Sequence, residues 1–212
     1  DAKQEYSTGA EVLKYYGRER QIEFRLAAAE AAIMTNDVTM LKVELSGIEV
    51  QGLSEGLRAK TALYRGHFLE MSGVHEAAQE QFGLVVAGGY RPIAARAELA
   101  LLNLRAKNGD LDIESKIKAL EQLRYRWRGG DLELEVLHEL GRLYVDSRDP
   151  AGGLQTMRRA ITFFPDSSRA PGIANDMNQV FRDLFLDGAA DQMSEVSALA
   201  LYYEFRELTP AG

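Results

Sequence analysis

The residues best suited to proton transfer or metal binding near neutral pH are three histidines, His67, His75 and His138. No two stand three or four positions apart, so no helix offers a ligand pair, and a His-Glu-x-x-His motif is absent. A metal shared by His67 and His138 needs a third ligand from elsewhere, and no metal site is expected. There is no cysteine, which excludes disulfides, thiolate zinc sites and Cys nucleophiles together. The pairs Gly88-Gly89, Gly129-Gly130 and Gly152-Gly153 complete no phosphate loop, since no Lys-Ser or Lys-Thr follows at the required spacing. The first two pairs read as helix ends. No Gly-x-Ser-x-Gly elbow occurs. No catalytic residue is assigned, no cofactor is expected, and the chain reads as a non-enzyme.

Charge and hydropathy narrow the partners. Net charge is −7 and the pI about 5.1, so phosphate backbones are not generally attracted. One basic-aromatic run exists, Arg124-Tyr125-Arg126-Trp127-Arg128. Its arginines fall in a last helical turn, where cations favour the helix dipole. They also point about 100° apart, so they form no flat patch. Trp127 continues an apolar stripe from Ile113 and is expected to be buried. Nucleic acid is therefore not an expected partner. No apolar run approaches the ~18 residues needed to span a bilayer, so no membrane insertion is expected.

The elements that position these residues repeat. Turn signals recur at Asn36-Asp37, Ser72-Gly73, Asn108-Gly109-Asp110, Arg148-Asp149 and Asp187-Gly188. Counted from Asn36, Gly73, Gly109, Arg148 and Gly188, the gaps are 37, 36, 39 and 40 residues. Such a period marks a stacked repeat protein. Between the turns the apolar spacing is helical, as in Ile173, Met177, Val180 and Leu184. Helices are expected near 19–35, 38–51, 57–72, 75–88, 93–107, 113–128, 132–147, 151–164, 171–187 and 190–208. A short helix is expected over 9–16. Asp149-Pro150 supplies an N-cap before a proline that costs no hydrogen bond, and Gly73, Gly109 and Gly188 suit left-handed helix ends. In 38–51, Leu41, Val43 and Leu45 alternate with Lys42 and Glu44, which alone reads as a β-hairpin. The repeat phase favours a helix there.

From Leu57 to Pro165 the chain resembles the tetratricopeptide repeat (TPR) family. The residues that carry the resemblance are Leu137, Leu140, Gly141, Tyr144, Gly153, Met157, Ala160 and Pro165, with a second copy in Gly66, Leu69, Gly73, Ala78 and Phe82. The unit around Leu102 and Gly109 is degenerate. Gly66 and Gly141 read as close-approach positions, with Tyr144, Phe82 and Met157 filling between helices. The resemblance implies an all-α, right-handed α-solenoid of about five antiparallel helix-turn-helix repeats. It is taken as a single domain over 1–212, with best repeats at 57–165 and degenerate hairpins at 19–53 and 168–208.

The resemblance also implies that the first helices of the hairpins line a concave peptide-binding groove. By phase its residues are Lys60, His67, Glu70, Met71, Arg96, Asn103, Lys107, Glu135, His138, Arg142 and Asp146. Lys60, Arg96, Asn103, Lys107 and Arg142 suit an acidic or extended peptide. Some family members clamp a terminal carboxylate with two lysines and two asparagines. Here only Asn103 stands suitably, and Leu63, His67, Glu135 and Glu139 occupy the other positions. Recognition of a C-terminal carboxylate in that manner is not expected.

The implied function is a non-catalytic scaffold holding a protein or peptide partner in a bacterial-type multiprotein setting. The alternative is a structural or oligomerisation spacer within a larger protein. The aromatic end Tyr202-Tyr203-Glu204-Phe205 reads as facing a further repeat, or as a homodimer surface. Starting at Asp1 and ending at Gly212, the chain reads as a piece of a longer protein, compatible with either a cytoplasmic or a periplasmic location.

Overall fold

A computed structural model describes residues 12–208. Among them are ten α-helices and no strand. They are α1 (Arg18–Met34), α2 (Val38–Ser46), α3 (Glu55–Met71), α4 (His75–Ala87), α5 (Arg91–Lys107), α6 (Ile113–Arg126), α7 (Gly130–Asp146), α8 (Pro150–Phe163), α9 (Ala170–Phe185) and α10 (Glu195–Glu204). The described residues up to Leu111 form one compact unit and those from Asp112 a second.

The turns explain the period. All five counted positions have left-handed backbone: Asn36 φ 55°, Gly73 77°, Gly109 81°, Arg148 67° and Gly188 84°. At the first four, the following N–H bonds back five residues: Asp37 to Ala32 O (2.8 Å), Val74 to Leu69 O (2.9 Å), Asp110 to Arg105 O (2.8 Å) and Asp149 to Tyr144 O (2.8 Å). This is the Schellman closure, which satisfies the last carbonyls of a helix and reverses the chain. After Asn36, Gly73 and Arg148 the next residue is the N-cap of the return helix, and after Gly109 the N-cap is Asp112. Asp37 accepts from Met40 N–H (2.9 Å) and Asp149 from Gly152 N–H (2.9 Å). Arg148 is the costly case, because its Cβ is strained at positive φ. Arg148→Gly is expected to raise stability by about 1 kcal/mol, read as a higher urea midpoint. A lower midpoint would show that the arginine side chain contributes more than its backbone costs.

In the first unit, α3 packs on α4, α4 on α5, and the alternate helices α1, α3 and α5 lie side by side. The core is Leu26, Leu41, Leu45, Ile48, Leu63, Tyr64, Phe82 and Leu104 with smaller residues between. In the second, α7 packs on α8 and α8 on α9 around Leu137, Leu154, Met157, Ile173, Met177, Phe181 and Phe205. Gly66 and Gly141 stand where close approach demands them. A Cβ at Gly66 would lie 2.4 Å from Phe82 Cε1, and one at Gly141 would lie 2.5 Å from Met157 Cγ and 3.2 Å from the Gly153 carbonyl.

Several expectations need correction. Segment 38–51 is helical only to Ser46, and the apparent alternation has another cause. Glu44 is buried because it meets Arg25 (3.3 Å), while Val43 is exposed. Ile48 is buried beyond the helix end. The single helix expected over 190–208 is broken. A 3-10 turn (Ala189–Gln192) precedes α10, which Ser194 caps by accepting from Ser197 N–H (3.1 Å), and a second 3-10 turn (Arg206–Leu208) follows. The stripe from Ile113 to Trp127 buries only its middle, Leu120 and Leu123. Trp127 is half-buried because the helix has already ended and its backbone is extended (φ −124°, ψ 120°). Gly129-Gly130 opens α7 rather than ending α6. Of the short helix expected over 9–16, residues 9–11 lie outside the described residues, and 12–16 close in a turn, with Tyr15 N–H donating to Val12 O (3.1 Å) and Tyr16 N–H to Leu13 O (3.0 Å). No helix among the described residues is long and apolar enough to cross a membrane.

Candidate functional site

In the first unit the site is built on α1, α3 and α5. Lys60 and Tyr64 lie one helical turn apart on α3 and reach the same oxygen of Glu30 on α1. The Lys60 ammonium stands 3.0 Å from Glu30 Oε2, and the Tyr64 hydroxyl donates to it at 2.8 Å. The ammonium also sits 5.4 Å from the Tyr64 ring centre. Burial alone would push the Glu30 carboxyl up. The Tyr64 hydroxyl, Lys60 and the more distant Arg96 outweigh it and hold the group below the usual carboxylate range. Burial first, and then the bond to Glu30, push the Tyr64 hydroxyl well above its ordinary value.

A lowered native pKa means that, as pH falls, the unfolded chain takes up the proton first. The Glu30 contribution to stability is therefore intact above the ordinary carboxylate pKa and lost as pH falls through the lowered native value. Glu30→Gln is expected to flatten that part of the acid limb of Tm against pH. An unchanged limb would show that the carboxylate network does not couple to folding.

Further along the same helices lies an open cleft of about 530 Å³. Ile33 and Asn36 close one side, and His67, Glu70 and Met71 of α3, His75 of α4 and Lys107 of α5 close the others. The structure thus brings together four residues expected in a groove, His67, Glu70, Met71 and Lys107. The His67 ring stands edge-on to Phe82, 5.0 Å between centres, and its Nδ1 faces Glu70 Oε2 at 3.4 Å. Arg96 and Lys107 are exposed on α5 and make no ion pair. Between them in sequence, Asn103 Oδ1 is buried without a hydrogen-bond partner.

In the second unit, α7 carries the four other expected residues. Glu135 meets Arg169 (3.3 Å), and His138 Nε2 stands 2.7 Å from Asp176 Oδ2. Glu139 is paired with Lys116. Arg142 and Asp146 are exposed and make no ion pair among the described residues. Tyr144, expected as filler, is half-buried and donates to Glu121 (2.8 Å). Burial and that carboxylate push its hydroxyl to about 12.

Each histidine has its own partner, His67 facing Glu70, His75 Asn108 and His138 Asp176. No group of three metal-ligating side chains occurs among the described residues. Sequence reasoning missed Glu30 and Tyr64. Repeat phase was the available signal, but α1 carries no signature residue to anchor it.

No protein-family model matches the sequence. No curated protein matches it either. Solved structures do resemble the fold. A Podosopora anserina kinesin light chain-type protein with nearly identical TPR-like repeats aligns at a TM-score of 0.55 and 15% identity, over 89% of this chain and 94% of its own. BtubC (BKLC) from P. vanneervenii aligns at a TM-score of 0.61 and 14% identity, over 99% of this chain and 92% of its own. Likeness at such identities speaks for the fold alone. This chain has a TPR-like, all-α helical repeat fold, the one its left-handed turns space out along the sequence.

Proposed function

We propose that this protein is a non-catalytic scaffold that holds an acidic, extended segment of a partner protein against α1, α3 and α5. TPR-like repeat folds serve in general as protein-interaction scaffolds, which supports the broad class. The observation that carries the finer reading is the cleft that gathers His67, Glu70, Met71 and Lys107. The cleft itself carries one cation, Lys107, beside one carboxylate, Glu70, and the preference for an anion comes from the wider α5 face. Lys60 is already neutralised by Glu30, whereas Arg96 and Lys107 keep an unpaired positive charge. Such cations favour carboxylates through charge-assisted hydrogen bonds. The face is held by helix packing and the Glu30 network, so little ordering cost falls on this side of a complex.

The test uses a labelled Asp/Glu-rich peptide and fluorescence anisotropy at low salt. The double variant Arg96→Glu, Lys107→Glu is expected to weaken binding about tenfold or more. Lys107→Glu alone should leave Tm nearly unchanged because that side chain is exposed, whereas Arg96→Glu should lower it slightly by replacing a cation that favours the Glu30 carboxylate. Binding that ignores both reversals would remove the assignment. Arg142→Glu, in the second unit, reports separately whether α7 contributes.

A further inference from the structure

We propose a second docking site of opposite preference, the cleft between the end of α9 and the start of α10. It takes a basic segment of another protein that carries a large apolar side chain. The cleft is open, with a volume of about 560 Å³. Its apolar walls include Phe185, Met193, Leu199 and Tyr202, and its rim carries Asp191 and Glu195. The walls are rigid where it matters. Phe185 and Tyr202 meet edge-to-face with centres 5.4 Å apart, and Phe181 backs both. Beneath them Leu201 and Phe205 are buried, which fixes α10 against the unit. On the outer side, Leu199 is 57% exposed and Val196 79% exposed, so the apolar surface continues out of the cleft.

Charge selects the occupant. From Asp183 to Glu195 there are four acids and no lysine or arginine. Asp187, Asp191 and Glu195 are exposed and make no ion pair among the described residues. Anionic polymers and anionic lipid headgroups are repelled by such a rim, and a cation beside an apolar anchor is attracted. A second copy of this chain is the alternative occupant. Its aromatic residues Tyr15, Tyr16 and Phe24 lie near Arg18, Arg20 and Arg25, which already pair with Glu49, Glu23 and Glu44. The competing segment of a second copy is therefore Arg124-Tyr125-Arg126-Trp127-Arg128, whose Tyr125 is 80% exposed, and the sedimentation measurement below separates it from another protein. The break that forms the cleft is sequence-encoded. Gly188 turns left-handed, the 3-10 turn carries Asp191 across, and Ser194 starts α10 afresh.

The experiment measures anisotropy of a labelled peptide with Leu and Trp one helical turn apart among lysines, added to the full chain. Two control peptides replace Leu and Trp by Ser, or the lysines by Glu. The basic apolar peptide is expected to bind and the controls to fail at the same concentration. Leu199→Asp, and separately Asp191→Lys with Glu195→Lys, are each expected to weaken binding about tenfold or more. All three side chains line an open cleft, so thermal unfolding followed by circular dichroism should hold. Absence of binding, equal binding of the Ser control, or indifference to both variants would overturn the proposal. So would sedimentation showing a dimer that Leu199→Asp abolishes, since a second copy would then be the occupant. Arg96 and Lys107 play no part in this test, so this site and the acidic-segment site stand or fall separately.

Discussion

Phe82→Ala is expected to lower the unfolding free energy by about 3–5 kcal/mol. Phe82 is completely buried on α4, where it fills the space left by Gly66 on α3 and supports the His67 ring. Truncation opens a void that the helices cannot close, because Leu63, Tyr64 and Ala78 already hold them from other sides. Urea unfolding followed by circular dichroism gives the number. Gly66 supplies the sharper check. In the native chain a Cβ there would strike Phe82 at 2.4 Å, so Gly66→Ala should destabilise. With Phe82 truncated the same methyl enters empty space and gains helix propensity, so Gly66→Ala should be neutral or favourable. A coupling of about 1–3 kcal/mol is expected. Additive costs would show that the glycine and the ring do not share a space.

Gly141→Leu is expected to cost about 3 kcal/mol through overpacking of α7 on α8. Two obstacles meet its Cβ, and they differ in kind. Met157 can swing aside, but the Gly153 carbonyl at 3.2 Å is backbone and can move only with its helix. Gly153 is bound in the same way, since its Cβ would meet the Gly141 carbonyl at 2.8 Å. The two glycines therefore set how closely the helices approach. Gly83, also helical, has nothing within 4 Å of its Cβ. Gly83→Ala should stabilise by about 1 kcal/mol. If Gly141→Leu kept the native urea midpoint, α7 and α8 would be free to separate and the packing account would fail.

These glycines also show how much was legible beforehand. Gly66, Gly141 and Gly153 could be read as spacers because they stand at small-residue positions of the repeat pattern, although the residues they make room for, Phe82, Met157 and Val145, lie on the partner helix. The turns at Asn36, Gly73, Gly109 and Arg148 were legible because Schellman closure is local. It depends on one left-handed residue and bonds within a few positions. Helix ends were less legible in two places. At 38–51 the alternation of apolar and charged residues satisfied a strand pattern, and nothing local revealed that Glu44 would be buried against Arg25, 19 residues earlier. At 190–208 the apolar content suggested one helix. Ser194 interrupts it by capping α10, a competition that period alone does not resolve.

The sequence alone determined the period and the all-helical class, because both follow from contacts within one or two turns of helix, and the repeat pattern marked the close-packed glycines. Only the tertiary structure decided which of the expected groove residues remain available. Lys60 is neutralised by Glu30, His138 faces Asp176 and Glu135 meets Arg169, whereas Arg96 and Lys107 keep their charge. The reason is distance along the chain. These partners stand 30 to 38 residues apart, about one repeat, so whether a charge is cancelled or left for a ligand depends on how neighbouring hairpins meet.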